Sequence, residues 1–410
     1  MKATKLMSTN PYRPGAGQEP PYLAGRTYEQ TEFLRLLDQE IIMENLIITG
    51  LRGIGKTALL ESLKPVAISH DWLWAGEDFS QSLGISEERL VMRILADISF
   101  LTSSIIVDEK IAVGFTGGTE KVYLSYELLR HIYTSTPGLA SDKLKHVLEV
   151  VWSIVPSLGK RGIIFAYDEA QTLTDNKSDS QYPLSLLLDV FQALQRKGVR
   201  FMLVLTGLPT LQPNLVATRT YTERLFHVFM LKQLSSQDSH DAIIKPLLND
   251  DGTPNKNMIQ FDETSINTIA KASGGYPYFI QYICRETYDV FQQQATSGKS
   301  PGVPLSAIME KLDNNFFYGR WAKTTEREKE LMIIIAQAKL AEFTPTQVVR
   351  LSEQSQFKKF SIAQLTSYLK GLIDEGLIYK DKRGSYSFAV PLLGGYIMRT
   401  YNEKLDAEVR

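Results

Sequence analysis

One eight-residue segment, GLRGIGKT (50–57), constrains the fold of this chain more than any other. It follows a short apolar run, NLIIT (45–49), and precedes ALLESLKP, which predicts a helix that ends at Pro65. A buried strand, a glycine-rich loop and a helix, with the pattern G-x-x-x-x-G-K-[ST], form the arrangement in which backbone N–H groups surround a phosphate. The segment therefore predicts an α/β fold with a phosphate-binding loop (P-loop).

Individual positions of this loop suit a nucleoside triphosphate. The glycines Gly50, Gly53 and Gly55 let the backbone curl around the phosphates. Lys56 supplies a positive charge for the β- and γ-phosphates, and Thr57 supplies a hydroxyl ligand for Mg²⁺. The remaining residues predicted to line the nucleotide here are Arg52, Ile54 and Ala58. The predicted cofactors are ATP or ADP and Mg²⁺.

Two carboxylates follow a second apolar run. In GIIFAYDEAQ (162–171) the run leads directly to Asp168 and Glu169. Carboxylates at the end of a buried strand are costly unless a cation compensates for them. Mg²⁺ would do so for Asp168, and Glu169 would then polarise the attacking water; a helix N-cap pair is the structural alternative. The pair predicts hydrolysis of ATP to ADP and phosphate.

Further strands and helices alternate along the same part of the chain. RFMLVLTGLP (200–209) predicts a buried strand that ends at Thr206, whose hydroxyl would lie beside the γ-phosphate. A helix is predicted over Leu184 to Arg196, and LFHVFML (225–231) predicts an edge strand. Strands that alternate with helices indicate parallel βαβ units. The sequence thus predicts a parallel sheet.

The rest of the chain divides into segments that differ in composition and in hydrophobic periodicity. Residues 1–22 are rich in Pro, Gly and polar residues and predict an extended arm. Residues 101–125 have no firm period and fit either a small hairpin or an insertion. Helices are predicted over 26–37, 86–99 and 140–155, and 236–294 is all-helical. The predicted domains are an arm (1–24), an ATPase core (25–233), a helical lid (234–300) and a C-terminal domain (301–410).

The segment 344–399 predicts two helices followed by a two-strand hairpin, the order of a winged helix. Ser361 begins the second helix, whose apolar face is predicted to consist of Leu365, Leu369 and Leu372. Gly376 would end this helix. The hairpin is predicted to turn at Arg383-Gly384.

The sequence leaves open whether this C-terminal domain binds DNA. Gln364, Ser367 and Lys370 are predicted to lie on the exposed face of the second helix. The hairpin adds cations for phosphates, namely Lys380, Lys382 and Arg383. Acidic residues interrupt this surface, namely Asp374, Glu375 and Asp381. A protein-packing role is the alternative.

Bulk properties exclude several classes of protein. The formal net charge is -1, so no global field attracts this chain to nucleic acid or to an anionic membrane. The single cysteine, Cys284, is expected to be a buried thiol, because no internal disulfide is available to it. Neither a signal peptide nor an apolar run of membrane-spanning length is present, so a cytoplasmic protein without a membrane partner is expected.

The order of these motifs resembles the AAA+ ATPases of the origin-recognition-like and STAND-related branch. The motifs are Gly25-Arg26…Glu29, the P-loop, DEAQ, TGLP, TERLF and GGYP. The arm NPYRPGAGQEPPYLAGR and the block DNNFFYGRWAKTTEREKEL (313–331) resemble those of a widespread bacterial group of ATP-binding proteins. The resemblance implies an AAA+ core, a helical lid and a C-terminal winged helix.

The resemblance also implies roles for single residues. Arg224 would be an arginine finger that reaches the γ-phosphate of a neighbouring subunit, with Arg219 as its competitor. Pro277, in the GGYP motif, would pack near the base, and no arginine of the lid is expected on the γ-phosphate. The residues implied to contact adenine and ribose are Tyr22, Leu23 and Arg26.

Three functions fit this resemblance. The first is an ATP-hydrolysing switch of the AAA+/STAND type that forms a homo-oligomer when active. The second is an ATP-regulated DNA-binding loader or regulator in which turnover is incidental. The third is a protein-interaction sensor whose winged helix contacts no DNA.

Overall fold

The computed structural model describes most of the chain. The described residues are 9–15, 17–79, 86–103, 105–108, 121–295, 302–340, 342–380 and 384–409. They group into two compact units. One unit contains Arg26–Gly50 and Leu59–Leu231, and the other contains the described residues of Met1–Gly25, together with Leu51–Ala58 and Lys232–Arg410.

The first of these units is built on a five-stranded parallel sheet with the order β2-β5-β6-β1-β7. Its strands are β1 (Asn45–Thr49), β2 (Trp72–Ala75), β5 (Gly162–Tyr167), β6 (Phe201–Gly207) and β7 (Phe226–Met230). Thr49 lies opposite Gly207, and Tyr167 lies opposite Leu205, so the carboxyl ends of β1, β6 and β5 share one edge. The parallel sheet and the edge position of β7 are confirmed.

Seven helices accompany the sheet in the described part of the chain. They are α1 (Thr27–Leu37), α2 (Lys56–Ser69), α3 (Glu87–Thr102), α4 (Tyr126–Ser135), α5 (Ala140–Ile154), α6 (Pro183–Arg196) and α7 (Leu211–Thr218). Every residue of β1, β5 and β6 is buried. Apolar faces of the helices cover the strands; for example, the ring of Phe191 on α6 lies edge-on to Phe165 on β5 at 5.0 Å between centroids. This core fixes the edge where the strands end.

Helix α2 continues past the predicted end at Pro65 to Ser69, and that prediction was wrong. Proline removes one backbone donor, but Pro65 and Glu61, four residues earlier, are both exposed, so water can satisfy the unpaired carbonyl. Ala67, beyond the proline, is fully buried. Packing of this residue into the core outweighs the lost hydrogen bond.

The segment 101–125, left open by the sequence, contains two short strands, β3 (Ile106–Asp108) and β4 (Lys121–Tyr123). They pair antiparallel, with Val107 opposite Val122. Of the two alternatives, the described ends of this segment form the hairpin.

The second unit continues with three helices, α8 (Ser236–Ile244), α9 (Glu263–Ser273) and α10 (Pro277–Ala295), as the all-helical prediction required. The N-terminal arm packs against them through Tyr12, whose ring stacks on Phe261 at 6.0 Å. Cys284 of α10 is buried in the same cluster, and burial raises the pKa of its thiol well above the ordinary value. The expectation of a buried cysteine is confirmed.

The C-terminal part of this unit is mostly helical. Its helices are α11 (Leu305–Leu312), α12 (Tyr318–Trp321), α13 (Glu326–Gln337), α14 (Pro345–Gln354), α15 (Ile362–Asp374) and α16 (Leu393–Val409), and its hairpin is β8 (Ile378–Lys380) with β9 (Tyr386–Phe388). Ser361 caps α15, and the predicted apolar face of Leu365, Leu369 and Leu372 is buried. Lys382 and Arg383, the first residue of the predicted turn, lie outside the described residues.

A search of the helices in the described ranges finds none with the length and hydropathy that crossing a membrane requires.

Candidate functional site

The loop after β1 has the backbone conformation that its glycines allow. Gly53 has φ 75° and Gly55 has φ 91°, backbone angles that residues other than glycine rarely adopt. Lys56 begins α2 and is buried, and its ammonium donates to the carbonyl oxygen of Leu51 at 3.2 Å. The loop therefore curls around its own lysine. A positive charge, flexible glycines and the first turn of α2 are what an anion site at a helix start requires.

The first turn of α10 lies against this loop. The backbone N–H of Tyr278 donates to the carbonyl oxygen of Gly53 at 3.1 Å. A Cβ atom on Gly53 would lie 3.0 Å from the Cβ of Tyr278, and one on Gly55 would lie 3.8 Å from the Cγ of Pro277. Both glycines therefore permit a close approach as well as a tight turn. Pro277 therefore packs beside Gly55 of the loop.

The N-terminal arm also reaches the loop. A Cβ atom on Gly17 would lie 4.0 Å from the Cγ2 of Thr57. Of the three arm residues implied to contact adenine and ribose, Tyr22 is 39% exposed and Leu23 is partly buried. Arg26 is buried before α1 and pairs with Glu29 at 3.5 Å. An ion pair within the first turn of α1 thus holds the side chain of Arg26.

Asp168 follows the carboxyl end of β5 and is 3% exposed. Its Oδ1 accepts hydrogen bonds from the Thr206 hydroxyl at the end of β6 and from the backbone N–H of Glu169, the latter at 2.7 Å. Thr206 is completely buried. Two neighbouring strands therefore bring together the predicted carboxylate and the predicted hydroxyl. Thr206 is oriented by Asp168.

Glu169 adopts a left-handed conformation, with φ 52°. Gln171 donates from its Nε2 to Glu169 Oε2, while its Oε1 accepts from the backbone N–H of Leu208 at 3.0 Å. Gln171 therefore fixes the carboxylate relative to the loop after β6. No role for Gln171 was predicted from the sequence, although the DEAQ motif contains it. Non-glycine residues with strained backbone often occur at functional sites, although Asp71, Ser180, Lys339 and Leu392 also have positive φ in this chain.

A third carboxylate lies near this pair and was missed. Asp78 follows β2, and the next backbone N–H, of Phe79, donates to the carbonyl oxygen of Asp168 at 3.0 Å. Burial raises the pKa of Asp78, and the negative charges of Asp168 and Glu169 raise it further. Negative charge is therefore concentrated at this edge, where Arg93 has a smaller, opposing effect on the pKa of Asp78, and a cation suits it. Within the described ranges no three His, Cys, Asp or Glu side chains form a complete metal site, so a cation would need ligands such as phosphate oxygens.

The two candidate arginine fingers have different environments. Arg219 forms a two-point pair with Asp189 of α6, at 2.8 Å and 3.1 Å, and the hydroxyl of Tyr221 donates to the same carboxylate at 2.6 Å. Burial, followed by the hydrogen bond to Asp189, raises the pKa of Tyr221 to about 12. Arg224 is exposed, and its side chain forms no hydrogen bond or ion pair with another described residue.

Part of the surface that would contact DNA, if this domain binds it, already makes contacts within the fold. Gln364 Oε1 accepts the backbone N–H of Ser361 at 3.1 Å, which closes a capping box at the start of α15. Ser367 and Lys370 are exposed on the same helix. Lys380 lies over the ring of Tyr386, with its Nζ 5.6 Å from the centroid. Two of the three helix positions therefore remain available to a partner.

Comparison with known proteins supports the fold. Residues 314–397 match a family model described as a domain of unknown function (DUF8462). No curated protein sequence matches the chain significantly. Among solved structures, the ADP form of the Aeropyrum pernix ORC2 protein aligns with TM-score 0.54 and 14% identity, over 94% of this chain and 97% of that one. Cdc6p from Pyrobaculum aerophilum aligns with TM-score 0.46 and 15% identity, over 96% and 98%. Together with the five-stranded parallel sheet and its P-loop, the likeness to ORC2 shows that this chain has an α/β P-loop NTPase fold.

Proposed function

We propose that this protein binds ATP and Mg²⁺ and hydrolyses ATP, and that it acts as an AAA+ molecular switch. The observation that supports this most directly is the group Asp168, Glu169 and Thr206 at the sheet edge where β1 leads into the P-loop. Those side chains are held by hydrogen bonds and lie at the carboxyl ends of adjacent parallel strands. Ligands of open α/β sheets bind at that edge.

Within this proposal the loop binds the phosphates through its backbone N–H groups. Lys56 neutralises negative charge on the β- and γ-phosphates. Tyr22, Leu23, Arg26 and Pro277 are proposed to contact the base and ribose. The other residues proposed to contact the nucleotide are Gly50, Arg52, Gly53, Ile54, Gly55, Thr57 and Ala58.

Mg²⁺, when bound, stabilises the charge that develops on the phosphates. The residues that would hold it are Thr57 and Asp168, and the three carboxylates of Asp78, Asp168 and Glu169 near one another fit a divalent cation. Glu169 is proposed to accept a proton from the attacking water, and Gln171 holds its carboxylate in place. The Thr206 hydroxyl donates to Asp168 Oδ1 and helps to hold that carboxylate.

Arg224, not Arg219, is proposed as the arginine finger of a homo-oligomer. The guanidinium of Arg219 is engaged by Asp189, so its use by a neighbour would require breaking that pair. Arg224 lies five residues further on and is exposed. An exposed, uncommitted guanidinium is what transfer of charge to a neighbouring subunit requires.

The domain organisation that we propose is an arm over 1–24, a core over 25–233, a lid over 234–300 and a winged helix over 301–410. The Gly-Tyr-Pro start of α10 supports the STAND-type form of the switch, because Pro277 and Tyr278 contact the P-loop directly. The two helices and hairpin of the C-terminal part support the winged helix.

An ATP-regulated DNA-binding protein is the second candidate, since Ser367 and Lys370 are exposed on α15. Duplex affinity measured against salt concentration tests it. Phosphate contacts release counterions, so a slope near zero would leave the protein-interaction sensor as the alternative.

The catalytic proposal is tested with Glu169→Gln and Lys56→Ala. Glu169→Gln should retain ATP binding while turnover falls on the order of 100-fold or more, because general-base assistance is removed. Lys56→Ala should lose nucleotide binding. Glu127→Gln, at an exposed acid on α4 of the same unit, is the matched control and should hydrolyse ATP at the wild-type rate. Unchanged turnover in Glu169→Gln would contradict the assignment.

A further inference from the structure

Two arginines from distant parts of the sequence approach each other beside the P-loop. Arg52 is the third residue of the loop, and its guanidinium lies against the backbone of Gly376, where an added Cβ would be 3.5 Å from Nη2. Arg320 belongs to α12, and its Nη1 donates to the carbonyl oxygen of Phe316 at 3.0 Å. Burial lowers the pKa of Arg320, and the positive charge of Arg52 lowers it further. The two cations are therefore near enough to repel each other.

Aromatic packing connects Arg320 to the loop. The guanidinium of Arg320 lies 5.0 Å from the centroid of the Phe316 ring, which lies 5.2 Å from the ring of Tyr278. The backbone N–H of Tyr278 donates to Gly53 at 3.1 Å. This chain of contacts fixes the position of Arg320 relative to the phosphate-binding backbone.

The charge of the pair is not balanced within the described chain. Arg52 Nε is buried, and no hydrogen-bond acceptor among the described residues reaches it. The groups that shift the pKa of Arg320 include no carboxylate. Buried donors normally find acceptors, and adjacent like charges are stable when an anion lies between them. The arrangement is therefore complementary to an anion.

We propose that Arg52 and Arg320 bind the γ-phosphate of ATP held on the P-loop, which makes Arg320 a specificity residue for ATP over ADP. The inference rests on the proposed nucleotide-binding function. Arg52 is part of the loop itself, so an anion between the two arginines lies next to the bound phosphates. Planar guanidinium groups match phosphate oxygens at two points. A diphosphate lacks the group that both would contact, so the C-terminal part would respond to the loss of the γ-phosphate.

The test measures binding of a non-hydrolysable ATP analogue and of ADP to the full-length chain by calorimetry. Arg320→Gln should weaken binding of the analogue at least about tenfold, the effect of losing a charge-assisted contact, and should change ADP affinity less than about twofold. Arg320→Lys, which keeps the charge but not the fork, should lie between. Arg350→Gln, at an exposed arginine on α14, is the matched control and should match the wild type for both ligands.

Each result has one meaning. Selective loss of the analogue in Arg320→Gln, with partial recovery in Arg320→Lys, supports the inference. Equal loss of both nucleotides would show that Arg320 only supports the fold, and unchanged binding of both would show that it does not contact phosphate; either overturns the inference while the proposed function stands. A wild-type chain that binds neither nucleotide would overturn both.

Discussion

Asp168 is a buried carboxylate whose hydrogen bonds can be removed one at a time. Thr206→Val keeps the side-chain shape but removes the hydroxyl that donates to Oδ1. Because a buried charge then loses a donor, we expect the free energy of unfolding to fall by about 1–3 kcal/mol. Urea unfolding at neutral pH measures this. Thr206→Ser should retain most of the stability.

The matched control for that substitution is Thr366→Val on α15, where the threonine is exposed. A surface change of this kind should alter stability by no more than about 0.5 kcal/mol. An equal loss in both variants would show that threonine-to-valine substitution, and not the Asp168 contact, causes the effect.

Two features require glycine at position 53: the left-handed backbone and the close approach of Tyr278. Gly53→Ala places a Cβ 3.0 Å from the Cβ of Tyr278 in a backbone with φ 75°. We expect a loss of about 1–2 kcal/mol in stability from the left-handed backbone alone, and weaker ADP binding because the loop shifts. Chemical unfolding and calorimetry measure the two effects. Gly319→Ala, in α12 with no atom within 4 Å of its added Cβ, should cost no stability.

Among single residues of the candidate site, those that belong to a local sequence motif could be predicted. Lys56 and Asp168 follow from fixed spacing after apolar runs. Gln171 could not be assigned, because its contact with Glu169 depends on a left-handed residue that no local pattern specifies. Asp78 was missed because its strand was missed. Arg320 lies 268 positions from Arg52 in the sequence, and only tertiary packing brings them near each other.

Elements were predictable where burial was continuous. β1, β5 and β6 are buried at every residue and appear as apolar runs, whereas β2 has four residues and pairs only with β5. A run as short as WLWA carries no period that distinguishes strand from helix. The end of α2 was predicted wrongly for a different reason. Pro65 is a strong local signal for a helix end, but the helix continues because Ala67 packs in the core.

The segment that carries Arg224 is bound to α6 through the hydrogen bonds of Arg219 and Tyr221 to Asp189, and the strength of this contact should depend on pH. Burial raises the pKa of Asp189, but hydrogen bonds from Arg219 and Tyr221 and the charge of Arg219 outweigh it, so the pKa lies below the ordinary value. A lowered pKa stabilises the fold above the ordinary value of about 4, and the contribution disappears as pH falls through the folded-state pKa. The side chains are 44% and 37% exposed, which limits the contribution at neutral pH to about 0.5–1 kcal/mol.

Asp189→Asn should therefore be less stable than the wild type at pH 7, and the difference should shrink below about pH 4. Urea unfolding across that range measures both curves. Asp71→Asn, at an exposed pair with Lys160 of 3.4 Å, serves as the control and should show a smaller difference at every pH. A difference for Asp189→Asn that is constant with pH would mean that the ion pair is not its source.

Within the second unit, helix α10 is contacted by three segments that are far apart in sequence. The arm bonds to it through Asn10, whose side chain donates to Asp289 Oδ1 at 2.7 Å. Its first turn bonds to the P-loop at Gly53, and its Phe279 packs on Phe317 with the ring centroids 6.2 Å apart. One helix therefore contacts the arm, the loop and the C-terminal part.

A whole-molecule prediction concerns action between copies. If Arg224 acts on the nucleotide of a neighbouring subunit, two inactive variants should complement each other. Arg224→Ala keeps a working P-loop but lacks the finger, whereas Lys56→Ala keeps the finger but binds no nucleotide. Mixing them forms interfaces in which one copy supplies the finger and the other supplies the P-loop, so ATP turnover should rise above the sum of the two separate rates.

Arg196→Ala, at an exposed arginine of α6, is the control and should hydrolyse ATP normally without a partner. An arginine that acts within its own chain, or not at all, would leave the mixture as inactive as its components, and steady-state phosphate release distinguishes these results.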